Sequence, residues 1–266
     1  MRLLILGCGD IGSRVGLQMS SLGWQVAAVR RDASKLPPDF TPFALDLTSP
    51  EPWTAMRSLR PDYLLITPTP QSYDPAGYEL GFTKVAQLLA QQPWLPRCRR
   101  VFWISSTRVY REGTGGWVDE HSPLNTNELE ASSMVAAEAV IRRASTATII
   151  RPAGIYGDPN GWLIRRVIAG SGGLTGRVYG NRIHRDDLAR LIGHCLLRDQ
   201  AGEWIPPTLV AADHDQTPMH EVERWLAEQL GTCVNPAIDD ASRTRPSRRC
   251  HNALLGAIGF GFVFPT

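Results

Sequence analysis

Apolar residues follow two alternating patterns along the first part of the chain. Short apolar runs, bounded by turn residues or charges, predict buried β-strands at residues 3–6, 25–29, 43–45, 63–67, 101–105 and 146–150. Between them, segments 11–22, 51–59, 78–91 and 130–144 carry apolar residues at helical spacing. Strand–helix alternation of this kind predicts an α/β fold in which a doubly wound parallel sheet is covered by helices on both faces.

The pattern loosens beyond residue 151. It predicts helices at 161–169, 185–197 and 217–230, a strand within 203–211, and an exposed, basic loop at 239–249. We therefore expect a nucleotide-binding domain at residues 1–157. A smaller α/β substrate region at 158–266 should follow, interleaved with the last elements of the sheet through a helix at 185–198.

A glycine-rich turn follows the first predicted strand. Gly7, Gly9 and Gly12 form the pattern GxGxxG between this strand and an amphipathic helix, which is where a Rossmann sheet binds the pyrophosphate of a dinucleotide. The first glycine allows the tight turn, the second lets the backbone approach the phosphates, and the third lets helix and strand pack closely. Asp10 and Ile11 complete this predicted cofactor turn, whose free N–H groups face the phosphates. The alternative is a turn that binds nothing.

The end of the second predicted strand bears on the choice of cofactor. Arg30 and Arg31 stand where NAD-binding folds usually carry an acidic residue for the ribose hydroxyls. A guanidinium offers forked donors that match phosphate oxygens, so NADP is favoured, with NAD as the alternative. The arginines could instead simply lie in solvent at the strand end. Asp46 and Leu47, after the third strand, are expected on the adenine side of the cofactor.

Charge and cysteine content narrow the setting. A formal net charge of +2 gives no reason to expect nucleic acid or a membrane surface as a partner, and no apolar stretch has the length of a membrane helix. The five cysteines are scattered and form no CxxC pair. This favours a reducing, cytoplasmic setting and argues against a bound metal.

Four later segments resemble the motifs of one family. They read SSTRVY at 105–110, RPAGIYG at 151–157, IHRDDLA at 183–189 and NALLGAIGFGFVFP at 252–265. In this order they resemble the SSxxVYG, RPxxxYG, IHxxDLA and NxxLxxLGFxxxYP segments of the extended short-chain dehydrogenases/reductases. The chain is similar to the NAD(P)-dependent epimerase/dehydratase group, and to an atypical branch of it because GxGxxG replaces the usual GxxGxxG.

The resemblance implies roles for several residues. Ser106 would hydrogen-bond the carbonyl or hydroxyl oxygen of a small-molecule substrate. Thr67, Pro68, Ser105 and Pro152 would line the cofactor, with Pro152 beside the nicotinamide. The resemblance also implies a homodimer formed through the helices at 78–91 and 130–144.

The segment at 183–189 also contains two residues with expected positions. The resemblance implies that Asp187 caps the helix that follows it. His184 would lie near the substrate region. A packed structural histidine is the alternative.

The acid/base pair of the family is missing. Aligning the family's YxxxKxxxE helix on Glu138 puts Glu130 at the tyrosine position and Met134 at the lysine position, and no Tyr-x-x-x-Lys occurs in the chain. Methionine can neither depress a neighbouring pKa nor donate to ribose hydroxyls, and losing general acid/base help typically costs ~10²–10⁴-fold in rate. Glu130 could substitute if burial raised its pKa; Tyr110 and Tyr156 are further candidates, unless they are simply packed aromatics.

Two functions remain open. The favoured one is an NAD(P)-dependent oxidoreductase or epimerase that acts on a small or nucleotide-linked carbonyl or hydroxyl compound, with Ser106 and Glu130 as catalytic candidates. The alternative is a binding protein that senses NADP(H) and performs no chemistry. A hydroxyacid dehydrogenase with a helical C-terminal domain is disfavoured, because residues 151–266 contain too little predicted helix.

Overall fold

The structure, a computed structural model, describes residues 1–50, 53–54, 56, 58–170, 178–233 and 247–265. Its strands in chain order are β1 (Arg2–Leu6), β2 (Gln25–Arg30), β3 (Thr41–Ala44), β4 (Tyr63–Ile66), β5 (Arg100–Ile104), β6 (Thr114–Val118), β7 (Ala147–Pro152), β8 (Gly154–Tyr156), β9 (Arg182–His184), β10 (Thr208–Ala211) and β11 (Ser247–Cys250). Its α-helices are α1 (Asp10–Ser21), α2 (Pro75–Tyr78), α3 (Val85–Ala90), α4 (Leu129–Ala144), α5 (Trp162–Ile168), α6 (Arg185–Gln200), α7 (Met219–Gln229) and α8 (Ala253–Ala257). A π-helical turn, Glu79–Lys84, joins α2 to α3.

Seven of these strands form one parallel sheet in the order β10-β7-β5-β4-β1-β2-β3. The chain leaves β1 toward β2 and β3 on one side and later returns to β4 on the other. The carboxyl ends of all seven strands therefore meet at one edge, with a reversal of strand order between β1 and β4, which is where open α/β sheets bind ligands. The predicted doubly wound α/β fold is confirmed.

Helices cover both faces of the sheet and bury its side chains. Along β1, Leu4 and Leu6 pack under α3 and α4, while Leu3 and Ile5 pack under α1 and α6. Successive side chains of a strand point to opposite faces, so a strand covered on both sides must be apolar throughout. This explains why the central strands were visible in the sequence as uninterrupted apolar runs.

The predicted elements match the observed ones closely. All six predicted strands of the first part are present, with ends displaced by no more than two residues. The helix predicted at 51–59 lies partly outside the described residues. None of the helices in the described part of the chain combines the length and the hydropathy that a membrane crossing needs.

The prediction of an exposed, basic loop at 239–249 is wrong for its last three residues, 247–249. Residues 239–246 lie outside the described residues, but Ser247 begins β11, which pairs in parallel with β6. The Arg249 guanidinium lies over the rings of Trp117 and Tyr179, at 4.9 and 5.0 Å from their centroids. Backbone pairing and stacking on aromatic rings therefore hold a stretch whose polar composition suggested a solvated loop.

Candidate functional site

The glycine turn connects β1 to α1 at the reversal of strand order. Gly7 has a φ of +79°, a left-handed conformation that favours glycine. A Cβ at this position would lie 2.8 Å from the carbonyl oxygen of Thr67, which follows β4. The Thr67 hydroxyl in turn donates to the Gly7 carbonyl at 2.6 Å. This hydrogen bond links the ends of β1 and β4, and the space between them has no room for a side chain at position 7.

The two other glycines have different surroundings. Gly9 precedes α1, and no side chain caps the first amides of the helix. A Cβ on Gly9 would meet only the Gly7 carbonyl oxygen, at 3.9 Å, so the space above the turn is open. A Cβ on Gly12 would lie 3.0 Å from Cγ2 of Ile5. The turn therefore combines an open, uncapped helix N-terminus with tight helix–strand packing, as a phosphate cradle requires.

Asp10 forms ion pairs in this structure, whereas Ile11 packs in the core. The Asp10 carboxylate lies 3.0 Å from Nε of Arg14 and 3.8 Å from Nη1 of Arg185, and a negative charge in the first turn stabilises a helix. Ile11 packs against the core under α1 and α6. Their predicted part in cofactor binding stays a prediction.

A cavity of about 380 Å³ opens beside the turn, at the carboxyl ends of the strands around β1. Its volume lies within the range of small-molecule sites, ~300–1,000 Å³. Among the predicted cofactor residues, those that line it are Gly7, Gly9, Arg30, Arg31, Asp46, Leu47, Thr67 and Pro68. The structure therefore brings together at one cavity residues that the sequence predicted from four separate segments.

Cationic side chains concentrate where β2 ends in this cavity. Arg30, Arg31 and Lys35 all line it. Nη1 of Arg31 donates to Oε1 of Gln71 at 3.4 Å, across from the loop that follows β4. Nζ of Lys35 lies 3.2 Å from a carboxylate oxygen of Asp32. Lys35 and Gln71 were missed in the sequence: Lys35 could have been found by extending the basic end of β2, whereas no motif marks Gln71.

Asp46 faces the same cavity as an anchored carboxylate. Its Oδ1 accepts hydrogen bonds from the backbone N–H and the hydroxyl of Thr48, at 3.0 and 2.8 Å. The pKa of Asp46 is lowered, first because of the Thr48 backbone N–H, with a further contribution from the Arg31 charge. Asp46 therefore carries a negative charge at neutral pH and partly balances the cations at the end of β2.

A buried polar network lies behind the next strand ends. The Ser105 hydroxyl donates to Oε1 of Glu138 at 2.6 Å. The Arg151 guanidinium donates to both oxygens of Glu138, at 3.1 and 2.6 Å, and to the Tyr110 hydroxyl at 3.1 Å. Tyr110 is fully buried, and burial raises the pKa of its hydroxyl to about 12. Tyr110 thus matches the packed-aromatic alternative, and the structure directs the Ser105 hydroxyl to Glu138.

The predicted catalytic residues, Ser106 and Glu130, are both partly buried. The Ser106 oxygen accepts the backbone N–H of Arg108 at 3.1 Å, and its hydroxyl donates to no acceptor in the described part of the chain. Glu130, on α4, has a side chain that is 21% exposed and lies 3.9 Å from Nη2 of Arg108. Arg108 also forms an ion pair with Glu128. Met134, at the position of the family's lysine, is buried in the core under α4.

The helix α6 is capped by a different residue from the one expected. Nδ1 of His184 accepts the backbone N–H of Asp186 at 3.2 Å and so caps the helix. The predicted cap, Asp187, is wrong: its fully buried carboxylate accepts the N–H groups of Val263 and Phe264, the latter at 2.7 Å. The His184 ring stacks on that of Phe264 with centroids 3.7 Å apart. His184 therefore matches the structural alternative.

Pro152, at the end of β7, is buried and pairs with Ala211 of β10. It lies two strands away from β4, and it does not line the cavity beside the turn.

Within the described residues, no group of three His, Cys, Asp or Glu side chains is arranged to hold a metal ion.

Comparison with known proteins gives structural relatives. No protein-family model matches the sequence, and no curated protein matches it. Among solved structures, a presumed NAD-dependent epimerase/dehydratase from Methylobacillus flagellatus superposes with a TM-score of 0.81 at 28% identity, over 100% of this chain and 94% of that one. The chain has the extended short-chain dehydrogenase/reductase fold, of the epimerase/dehydratase type. The resemblance seen in the sequence motifs is thereby confirmed.

More distant neighbours share this fold. The Bordetella bronchiseptica enzyme WbmG, solved in complex with NAD, has a TM-score of 0.78 at 16% identity, over 98% of this chain and 88% of that one. A human epimerase family protein solved with NADPH has a TM-score of 0.75 at 17% identity, over 100% and 96%. At these identities the likeness concerns the fold.

Proposed function

We propose that the protein binds a nicotinamide dinucleotide, with NADP(H) preferred over NAD(H), in the cavity beside the glycine turn. The observation that carries the proposal is the set of three cations, Arg30, Arg31 and Lys35, on the wall of a cavity that also contains Gly9. An anion of the size of a 2′-phosphate would find guanidinium and ammonium donors there. Two fold relatives are described with NAD and with NADPH, which supports the cofactor class.

The turn itself fits a pyrophosphate. Gly9 leaves open space where a side chain would stand, and the uncapped N-terminus of α1 offers free N–H groups at its positive end. Asp46 and Leu47 line the part of the cavity nearest β3 and would contact the adenosine. The bound dinucleotide would extend along Thr67 and Pro68, from its pyrophosphate toward the ends of β5 and β7.

We further propose that the protein is an oxidoreductase or epimerase for a small or nucleotide-linked carbonyl or hydroxyl compound. Bound NADP(H) would supply or accept the hydride of such a reaction. Ser106 would donate its hydroxyl proton to a substrate oxygen, since among the described residues this hydroxyl only accepts, from the Arg108 N–H. Glu130, which lies on α4 near Arg108, would be the acid/base candidate.

The sensing alternative has one observation in its favour. The position of the family's lysine is occupied by Met134, which is 2% exposed and packed in the core. No cation there can orient a nicotinamide ribose or tune a neighbouring acid. Tight NADP(H) binding without turnover of any carbonyl or hydroxyl compound in a broad panel would favour the sensing alternative.

The cofactor proposal is tested by fluorescence titration with NADPH and with NADH. Replacing Arg30 and Arg31 by alanine, singly and together, should weaken NADPH by roughly 10–100-fold, since a hydrogen bond to a charged group is worth about 1.5–3 kcal/mol. NADH should change little. Arg97→Ala is the matched control, because Arg97 is an exposed arginine before β5, at the opposite sheet edge. Equal weakening of both cofactors would contradict the phosphate site.

Two points of setting complete the proposal. The five cysteines are all free, which supports a reducing, cytoplasmic location.

The π-turn and α4 expose Leu80 and Leu129, by 47% and 63%. These two side chains support a homodimer formed through this pair of helical segments.

A further inference from the structure

The cavity beside the glycine turn contains a neutral polar residue that the proposed function has not used. Gln71, in the loop after β4, lines this cavity together with Arg31. Its Oε1 accepts a hydrogen bond from Nη1 of Arg31 at 3.4 Å, although the two residues are 40 positions apart in the sequence. The contact therefore joins two separate segments of the cavity wall, and one of its members is a cation proposed to bind the 2′-phosphate.

The backbone around Gln71 fixes the place from which its side chain extends. The Gln71 N–H donates to the Gly77 carbonyl oxygen at 3.0 Å, and the Gly77 N–H donates to Oδ1 of Asp74 at 2.7 Å, which caps α2. Gly77 lies so close to Ser72 that an added Cβ would be 2.2 Å from the Ser72 carbonyl oxygen. The loop is thus closed tightly onto the first turn of α2, and it places Gln71 at the cavity.

The charge of its partner distinguishes Arg31 from Lys35. Nζ of Lys35 lies 3.2 Å from a carboxylate oxygen of Asp32, so the charge of this lysine is partly balanced within the protein. Arg31 is bonded to an amide instead, and among the described residues it forms no such ion pair. An amide oxygen orients a guanidinium without cancelling its charge. The positive charge of Arg31 therefore remains available to an anion in the cavity.

Asp46 would compete for the Arg31 side chain if Gln71 were absent. Its carboxylate lines the same cavity and lies near enough to Arg31 for that positive charge to contribute to its lowered pKa. Coulombic attraction would draw a long, flexible arginine side chain toward this carboxylate unless another partner held it. The hydrogen bond to Gln71 keeps the guanidinium at the loop after β4 instead.

We propose that Gln71 is a positioning residue for NADP(H): it holds the Arg31 guanidinium in place before the cofactor binds, and so strengthens the preference for a 2′-phosphate. The inference rests on the proposed function, in which Arg31 binds that phosphate. Gln71 accepts from Nη1, and Nη2 and Nε would donate to the phosphate oxygens. Ordering a long side chain only during binding typically weakens affinity by roughly 3–10-fold, and in the wild type Arg31 is ordered beforehand.

Fluorescence titration with NADPH and with NADH tests this role. In Gln71→Ala the dissociation constant for NADPH should rise by roughly 3–10-fold, because the cofactor must then order Arg31 itself, whereas that for NADH should not change. In Gln71→Glu the new carboxylate would pair with Arg31 and repel the 2′-phosphate, so NADPH binding should weaken by about tenfold or more. Gln25→Glu is the matched control: it adds the same charge at the exposed first residue of β2, outside the cavity lining, and should leave both constants unchanged.

A double-mutant cycle separates this role from a direct contact between Gln71 and the cofactor. If Gln71 acts through Arg31, Gln71→Ala should have no further effect on NADPH affinity in an Arg31→Ala background. The same loss in both backgrounds would overturn the inference, as would equal weakening of NADPH and NADH by Gln71→Ala. A loss of NADPH affinity in Arg31→Ala but not in Gln71→Ala would also overturn it, while the proposed function stands. An Arg31→Ala variant with unchanged NADPH affinity would count against the proposed phosphate site itself.

Discussion

Removing the Arg151 side chain should cost this protein much of its stability. Arg151 and Glu138 are 4% and 3% exposed, and their two hydrogen bonds measure 3.1 and 2.6 Å. In Arg151→Met the Glu138 carboxylate would stay buried, with the Ser105 hydroxyl as the donor that remains in the described part of the chain. Breaking a buried pair in this way costs about 3–5 kcal/mol, against a total stability of ~5–15 kcal/mol.

The assay is urea unfolding at pH 7, followed by circular dichroism. Arg2→Met serves as the control, because Arg2 and Asp62 form an exposed pair, with side chains 51% and 28% exposed, and should contribute at most ~1 kcal/mol. The double variant Arg151→Met/Glu138→Leu should recover part of the loss, since no buried charge is left unpaired. A loss for Arg151→Met as small as that for Arg2→Met would refute the reasoning.

Three further predictions follow from the geometry of the turn, the sheet edge and the helix surface. Gly9→Ala should keep its urea midpoint but lose NADPH binding by tenfold or more in fluorescence titration, whereas Gly7→Ala should lose ~1–3 kcal/mol of stability because its φ is +79°; equal effects would contradict the assigned roles. Burial raises the pKa of Asp213 to about 7, above its unfolded value of ~3.9. The wild type should therefore lose stability relative to Asp213→Asn as the pH rises from ~4 to ~7, and a difference between urea midpoints that is the same at pH 5 and pH 8 would count against this. Sedimentation should show a dimer that Leu129→Glu converts to a monomer, while a wild type that is monomeric at high concentration excludes the interface at Leu80 and Leu129.

The sequence predicted the features that depend on neighbouring residues. β1 and β4 are covered on both faces, so they are apolar at every position, and Gly7 adopts a conformation that only glycine tolerates easily. These constraints act within a few residues of the chain and leave a readable pattern. The cationic end of β2 could be predicted too, because Arg30 and Arg31 are adjacent in the sequence.

The remaining features depend on contacts between distant segments. Ser105 binds Glu138, which lies 33 positions later, and Arg31 binds Gln71, 40 positions later. Asp187 looked like a helix cap, yet its carboxylate holds backbone amides 76 and 77 positions away. No periodicity or local motif encodes such pairs, because they exist only after the elements have packed.

The π-helical turn Glu79–Lys84 forms one wall of the cavity beside the glycine turn, and this limits how its residues can change. It brings Gly81 so close to the loop after β4 that an added Cβ would lie 2.1 Å from the Thr69 carbonyl oxygen. A π turn contains one residue more than the corresponding α-helical turn, so deleting one residue here would restore a regular α-helix and leave the segments on either side in place. Val85 would stay on the cavity wall and Leu88 would stay in the core. The loss of one residue from the turn should therefore be absorbed locally, whereas a side chain at position 81 would collide with the backbone.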